Sequence, residues 1–185
     1  MICDPACGTS GFLVTASEYL RENCKKEGIA NIETRCGEIE QLAPETPYDA
    51  MVFCFFGTGN EALRIAKAQC RGPVVIIKKA WNEHRFSIGK QKMGHESYAD
   101  TLALLKEYGI PHQGDTLALE MGQPFRSIAD ACRFFEIYNK SGKAVTEEAV
   151  CARLEATGDN DFPWYLPQPK KMGIILLDSR NIPEL

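Results

Sequence analysis

The run Tyr48-Asp49-Ala50-Met51-Val52-Phe53-Cys54-Phe55-Phe56 is apolar at nearly every position. A strand with one wet face alternates apolar and polar residues, so a run without alternation suits a strand covered on both faces. Such strands belong to parallel sheets held between layers of helices. Pro73 to Ile77 reads as a second buried strand. Met1 to Asp4 reads as the end of a strand, and Asn31–Cys36, Thr116–Met121 and Met172–Asp178 read as further strands. Between them, Phe12, Ala16, Leu20 and Cys24 recur at helical spacing, as do Leu63, Ala66 and Cys70. Gly28 ends the first of these helices. A third helix runs from about Ser97 to Tyr108 with Leu102 and Leu105 inward, stopped by Gly109 and Pro111. Ser127 opens a helix through Ile128, Cys132, Phe135 and Tyr138 with the pattern of a capping box. Thr146 caps another, ending near Gly158. This alternation predicts an α/β fold around a mostly parallel sheet.

The 185 residues suit one domain with a real core, and 44% apolar and 25% charged residues are ordinary for a globular chain. A net charge of −4 gives no bulk attraction to nucleic acid. No apolar run approaches the ~18 residues of a membrane span. The N-terminus lacks a basic region followed by an apolar stretch, so the chain reads as cytoplasmic. The eight cysteines form no CxxC pair and fall mostly in apolar periodic segments, which predicts free thiols and no metal.

Asp4-Pro5-Ala6-Cys7-Gly8-Thr9-Ser10-Gly11, followed by Phe12-Leu13-Val14, sets an acid at a strand end, then a glycine-bearing turn, then a helix start. A helix start offers unpaired N–H groups, and Gly8 and Gly11 let a ligand approach where a Cβ would block it. The string resembles motif I of class I S-adenosylmethionine-dependent methyltransferases, worded most closely like DNA adenine methyltransferases. The resemblance implies a Rossmann-like sheet whose last strand inserts antiparallel, here Met172–Asp178 beside Thr116–Met121. It makes 1–185 a single domain, with 123–170 as a helical insert near the acceptor site. It implies S-adenosyl-L-methionine as cofactor, with Asp4, Ala6, Gly8 and Gly11 on its amino-acid end. Cys36-Gly37-Glu38-Ile39 resembles the segment in which an acid meets the adenine amine and an apolar residue packs on the ring, which gives those roles to Glu38 and Ile39. The other reading of Glu38 is a solvated acid at a helix N-terminus.

The chain departs from the family in its first half. The stretch from Gly11 to Asn31 has room for one helix, not for the usual helix, strand and second helix, so a strand–helix unit is expected to be missing. A compressed alternative makes Leu13–Ala16 a strand and Glu18 the ribose-binding acid; the helical spacing from Phe12 argues against it. The chain also starts three residues before Asp4, which fits a fragment or shortened gene product. The (D/N)PP(Y/F) motif of DNA adenine methyltransferases is absent at Cys54-Phe55-Phe56-Gly57, so a nucleic-acid acceptor loses most of its support and a DNA adenine methyltransferase, resting on motif I alone, is the lesser alternative. The later phrases Ile76–Phe86, Glu120–Ser127 and Phe162–Pro167 look like small bacterial methyltransferases of unassigned acceptor.

Residues 78–92 hold Lys78, Lys79, Arg85, Lys90 and Lys92 against Glu83. After a strand's carboxyl end, that charge reads either as an anion-binding loop with His84 as base, or as a solvated basic loop. Phe55, Phe56, Trp81, Arg85 and Arg126 are the expected acceptor contacts, with the acceptor between Phe55-Phe56, the 81–86 loop and the insert. The expectation is methyl transfer to a small molecule, with the loop's charge favouring an anion. A non-catalytic relic or binding module on the same fold is the alternative.

Overall fold

The computed structural model describes residues 2–3, 22, 26, 28, 39, 44–92, 94 and 96–184. They divide into two compact units. The first holds residues 1–78, 101–114 and 175–185; the second holds 79–100 and 115–174. The strands β4 (His112–Glu120) and β8 (Pro169–Asp178) pass along the chain from one unit into the other.

In the first unit, β1 (Ile2–Cys3), β2 (Ala50–Cys54) and β3 (Pro73–Lys79, to Lys78) run parallel. Ile2 faces Ala50 and Cys3 faces Met51, and Met51 through Cys54 face Val74 through Ile77. The long apolar run thus becomes a strand between two others. Met51, Phe53, Val74 and Ile76 have no exposed surface, while Val52 and Cys54 on the alternate positions are half-buried. Helix α1 (Gly59–Gln69) buries Ala62, Leu63, Ile65 and Ala66, the 3.6-residue stripe expected of it. Thr58 caps it: its hydroxyl accepts from Glu61 N–H, and Glu61 reaches back to the Thr58 N–H at 2.7 Å. Glu22 and Lys26 are helical and Gly28 has φ of +68°, the left-handed geometry that ends a helix.

The whole sheet has the order β1-β2-β3-β8-β4. The last strand of the chain therefore lies between β3 and β4, hydrogen-bonded beside β4 as the sequence led us to expect. Its partner β4 is mostly exposed along its length, Leu117 at 49%. Helix α2 (Tyr98–Glu107) precedes β4.

The second unit corrects the reading of residues 123–170 as helical. Helices α3 (Ile128–Tyr138) and α4 (Glu147–Cys151) are present, capped by Ser127 and Thr146. Beside them lies a small antiparallel sheet of order β5-β7-β6, from Gln123–Phe125, Trp164–Leu166 and Glu155–Ala156. Helix α4 stops well short of Gly158, because the chain tightens at once. Arg153 N–H turns to the Val150 carbonyl and Leu154 N–H to Cys151, and β6 follows. Phe125, Ala131, Phe135, Val150 and Leu166 form the core, with Phe86, Phe134 and Trp164 packed against it. The Phe134 ring meets Phe86 edge-on at 4.8 Å and Phe125 at 5.3 Å.

Candidate functional site

Of the residues assigned to the cofactor, Asp4, Ala6, Gly8, Gly11 and Glu38 lie outside the described residues. So do the helix from Phe12 to Leu20 and the strand from Asn31 to Cys36. Ile39 is described. It is half-buried, and its carbonyl accepts from Gln69 Nε2 at 2.8 Å, which ties it to the end of α1. Because β1 runs parallel to β2 and β3, its end at Cys3 points to the same edge as their carboxyl ends. That edge is where open α/β sheets take ligands.

At that edge of the first unit, β2 ends in an unusual turn. Phe55 has φ of +53°, a left-handed conformation that costs a non-glycine residue about 1–2 kcal/mol. Gly57 follows with φ of +21°, and a Cβ there would collide with the Glu61 carboxylate. Phe55 is 39% exposed, whereas Phe56 is buried with its ring 5.4 Å from Phe53. The turn is held from below by Lys78, only 3% exposed. Its Nζ donates to the Phe56 carbonyl at 2.8 Å and to the Gly57 carbonyl at 2.5 Å. Those carbonyls replace part of the hydration that a buried ammonium loses. Lys78 is therefore a structural clamp and not part of a basic loop. Glu61 has its carboxyl held below the usual range by the hydrogen bonds it accepts from the Thr58 N–H and hydroxyl.

In the second unit, the segment read as irregular is a pinned hairpin. The main chains of Glu83 and Lys92 pair in one antiparallel β-bridge, and His84 N–H donates to the Gln91 carbonyl at 2.7 Å. Ser87 is buried; its hydroxyl shares a 3.0 Å hydrogen bond with His84 Nδ1 and accepts from Lys140 N–H. Ile88 N–H donates to Asn139 Oδ1 and Gly89 N–H to Ser141 Oγ, so the tip is fastened to the end of α3. Arg153 donates to the Ser87 carbonyl at 2.7 Å and the Arg85 carbonyl at 3.2 Å, with its guanidinium over the Phe135 ring. Beside this network lies an open cavity of about 260 Å³, lined by Glu83, His84, Arg85, Lys90, Arg153 and Lys170 among others.

The basic groups in and around the hairpin shift in one direction. Burial, then the charges of Lys140, Lys79 and Arg85, lower the His84 pKa from its ordinary value of 6.5. Burial, then Arg85, lowers Lys79. Burial lowers Arg85 and Arg153 as well. The structure brings His84 and Arg85 together on the cavity wall. Trp81 is half-buried in the same unit, with an indole N–H that finds no acceptor among the described residues. Arg126 is exposed with its guanidinium 5.5 Å from the Phe162 ring, outside the cavity lining. Phe55 and Phe56 belong to the other unit. Sequence reasoning missed Arg153, which sits at the turn ending α4 and gives no pattern, and Ser87, one small polar residue inside an apolar–basic stretch.

Comparison with known proteins shows the architecture. YcgJ of Bacillus subtilis superposes with a TM-score of 0.52 at 11% identity, over 96% of this chain and 90% of that one. BH2331 of Bacillus halodurans, provisionally described as a methyltransferase, gives 0.51 at 12% identity, over 96% and 82%. The chain has the α/β fold with a mixed sheet found in these structures. At such identity the likeness is one of fold. No family model matches the chain, and no curated protein does. Among the described residues no helix is long and apolar enough to cross a membrane.

Proposed function

We propose that the chain is a cytoplasmic methyltransferase that uses S-adenosyl-L-methionine on a small-molecule acceptor. The observation that carries this reading is the strand order β1-β2-β3-β8-β4 behind an N-terminal Asp4–Gly11 segment worded like motif I. The antiparallel sense proposed for the last strand is supported at both ends of its pairing with β3. Ser179 N–H donates to the Gly72 carbonyl, and Ala80 N–H donates to the Lys171 carbonyl, so one strand advances as the other retreats.

In this reading Asp4, Ala6, Gly8 and Gly11 hold the amino-acid end of the cofactor at the edge where β1 ends, and Glu38 and Ile39 hold adenine. The half-buried Ile39 side chain fits a role against a flat ring, since its main chain is already fixed by Gln69. The bound cofactor supplies an electrophilic methyl group on sulfur. The protein's part is alignment of the acceptor and disposal of its proton. Phe55 and Phe56 at the end of β2 are the proposed apolar contacts of the acceptor, with Lys78 fixing their turn. Trp81, Arg85 and Arg126, all in the second unit, are further candidates for acceptor contacts, each taken by itself.

His84 is the proposed base. Its lowered pKa keeps it neutral near pH 7, as a proton acceptor must be. The role requires the tautomer in which Nδ1–H donates to Ser87 and Nε2 is bare. Nitrogen-15 shifts of His84 report this directly, and a protonated Nε2 would remove His84 from the base role.

Calorimetry of the full chain with S-adenosylmethionine tests the main reading. Saturable binding in the micromolar range, lost in Asp4→Ala with the fold intact, is the expected result. Absence of heat at millimolar ligand would leave a non-catalytic module on this fold.

A further inference from the structure

Arg85 is poorly served by its own protein. Its Nη1 reaches only the Met121 thioether sulfur, at 3.9 Å, and a thioether is a weak acceptor. Its Nε is buried and has no acceptor. No carboxylate among the described residues lies within ion-pair distance of it. The guanidinium rests on the Phe86 ring at 4.4 Å, a contact that leaves its in-plane N–H groups free to donate outward. A half-buried cation with unspent donors is costly to hold unless something anionic completes it.

The surroundings repeat the imbalance. The cavity that Arg85 lines is also lined by Lys90, Arg153 and Lys170, with Glu83 as its one acid. The hairpin is not loose enough to relieve this by swinging into water, since Ser87, Ile88 and Gly89 are each fastened to the end of α3. At about 260 Å³ the cavity falls below the ~300–1,000 Å³ of whole-ligand pockets, and suits one charged end of a molecule.

We propose that this cavity binds an oxyanion, a carboxylate or a phosphate, with Arg85 as its principal donor. The inference goes beyond the methyl-transfer reading and does not depend on it, since every residue it uses lies in the second unit. Burial lowers the pKa of Arg85, and burial followed by the charge of neighbouring cations lowers that of His84, and the cationic part of the His84 shift has the sign expected of a site that lacks its anion. A bound anion reverses that sign.

The test is nuclear magnetic resonance of the full, nitrogen-15-labelled chain. Inorganic phosphate and acetate are titrated separately at ionic strength held constant with chloride. The Arg85 and Arg153 Nε–Hε signals and the Gly89 amide are followed. Saturable shifts with either anion support the cavity as an oxyanion site, and the tighter of the two names the group. Arg85→Gln weakens the binding by about tenfold, the loss of one charge-assisted contact. Lys90→Gln, at an exposed position, weakens it without threatening the fold. Arg133→Gln, exposed on α3 and outside the lining, leaves it unchanged. Shifts that grow linearly with added anion, or that are equal in Arg85→Gln and Lys90→Gln, overturn the proposal. Calorimetry with S-adenosylmethionine on the same sample separates the two claims. Anion binding without cofactor binding sinks methyl transfer alone; cofactor binding without anion binding sinks the oxyanion site alone.

Discussion

Lys78 and Arg153 are both cations withdrawn from water, and both spend their hydrogens on pairs of main-chain carbonyls. The regions they hold are built differently. Around Lys78, parallel strands and α1 bury aliphatic and aromatic surface, and the turn it clamps is closed under Phe56. Around Arg153, side chains and backbone groups fasten a hairpin to helix ends, and a charged cavity stays open beside it. The same device, a cation on two carbonyls, completes a core in one unit and frames a vacancy in the other. Where burial is apolar, the cation's charge is used up in holding the turn. Where the scaffold is polar, further cations can be kept with donors to spare.

The largest expected effect falls on the apolar region. Phe53→Ala removes a fully buried ring, and should cost about 3–5 kcal/mol in urea unfolding. A cost under about 1 kcal/mol would mean that β2 is not the packed centre of its unit. Next comes the polar region. Arg153→Ala removes two charge-assisted hydrogen bonds at a half-buried site, worth about 2 kcal/mol. The loss should appear first as faster amide exchange in residues 85–91. Uniform exchange changes across the chain would contradict a local clamp.

Helix caps sharpen the contrast at smaller scale. Thr58→Ala breaks a two-sided capping box and should cost about 1 kcal/mol. Ser127→Ala, which removes one bond from Asp130 N–H, should cost less. Thermal unfolding of the two variants ranks them, and the reverse order would refute the comparison.

The smallest effect is that of pH. The folded-state pKa of His84 is lowered, so the unfolded chain binds its proton first as pH falls. Stability contributed by neutral His84 is complete above about pH 6.5 and declines as pH drops toward the folded value. A proton-monitored titration of His84 with its midpoint at or above 6.5 would contradict a ring both withdrawn from water and crowded by cations.

Much of the sheet was legible because its strands are long and apolar. Ala50–Cys54 falls inside an apolar run that no loop would tolerate, Pro73–Lys79 overlaps a second run at Pro73–Ile77, and Ser127 and Thr146 announce their helices by side-chain chemistry alone. The small sheet was not legible. A three-residue strand such as Gln123–Phe125 or Trp164–Leu166 cannot display a period of two, and Pro163 and Pro167 around the latter read as loop. The end of α4 was misjudged because helical residues continue past Cys151 while tertiary bonds turn the chain. For the site, sequence supplied the charge of the 78–92 segment but not its division. Strand alternation buries Lys78 under the Phe55–Gly57 turn, whereas Arg85 lines the cavity. That outcome depends on which face of β3 meets the core, a tertiary fact.

The central claim is that an adenosyl cofactor binds where β1 ends. A co-crystal structure with S-adenosylhomocysteine tests it most directly. The account predicts nucleoside density against residues 4–11 with the Asp4 carboxylate on the ligand's amine. Density elsewhere, or a segment 4–11 filled by the protein's own side chains at saturating ligand, would contradict it.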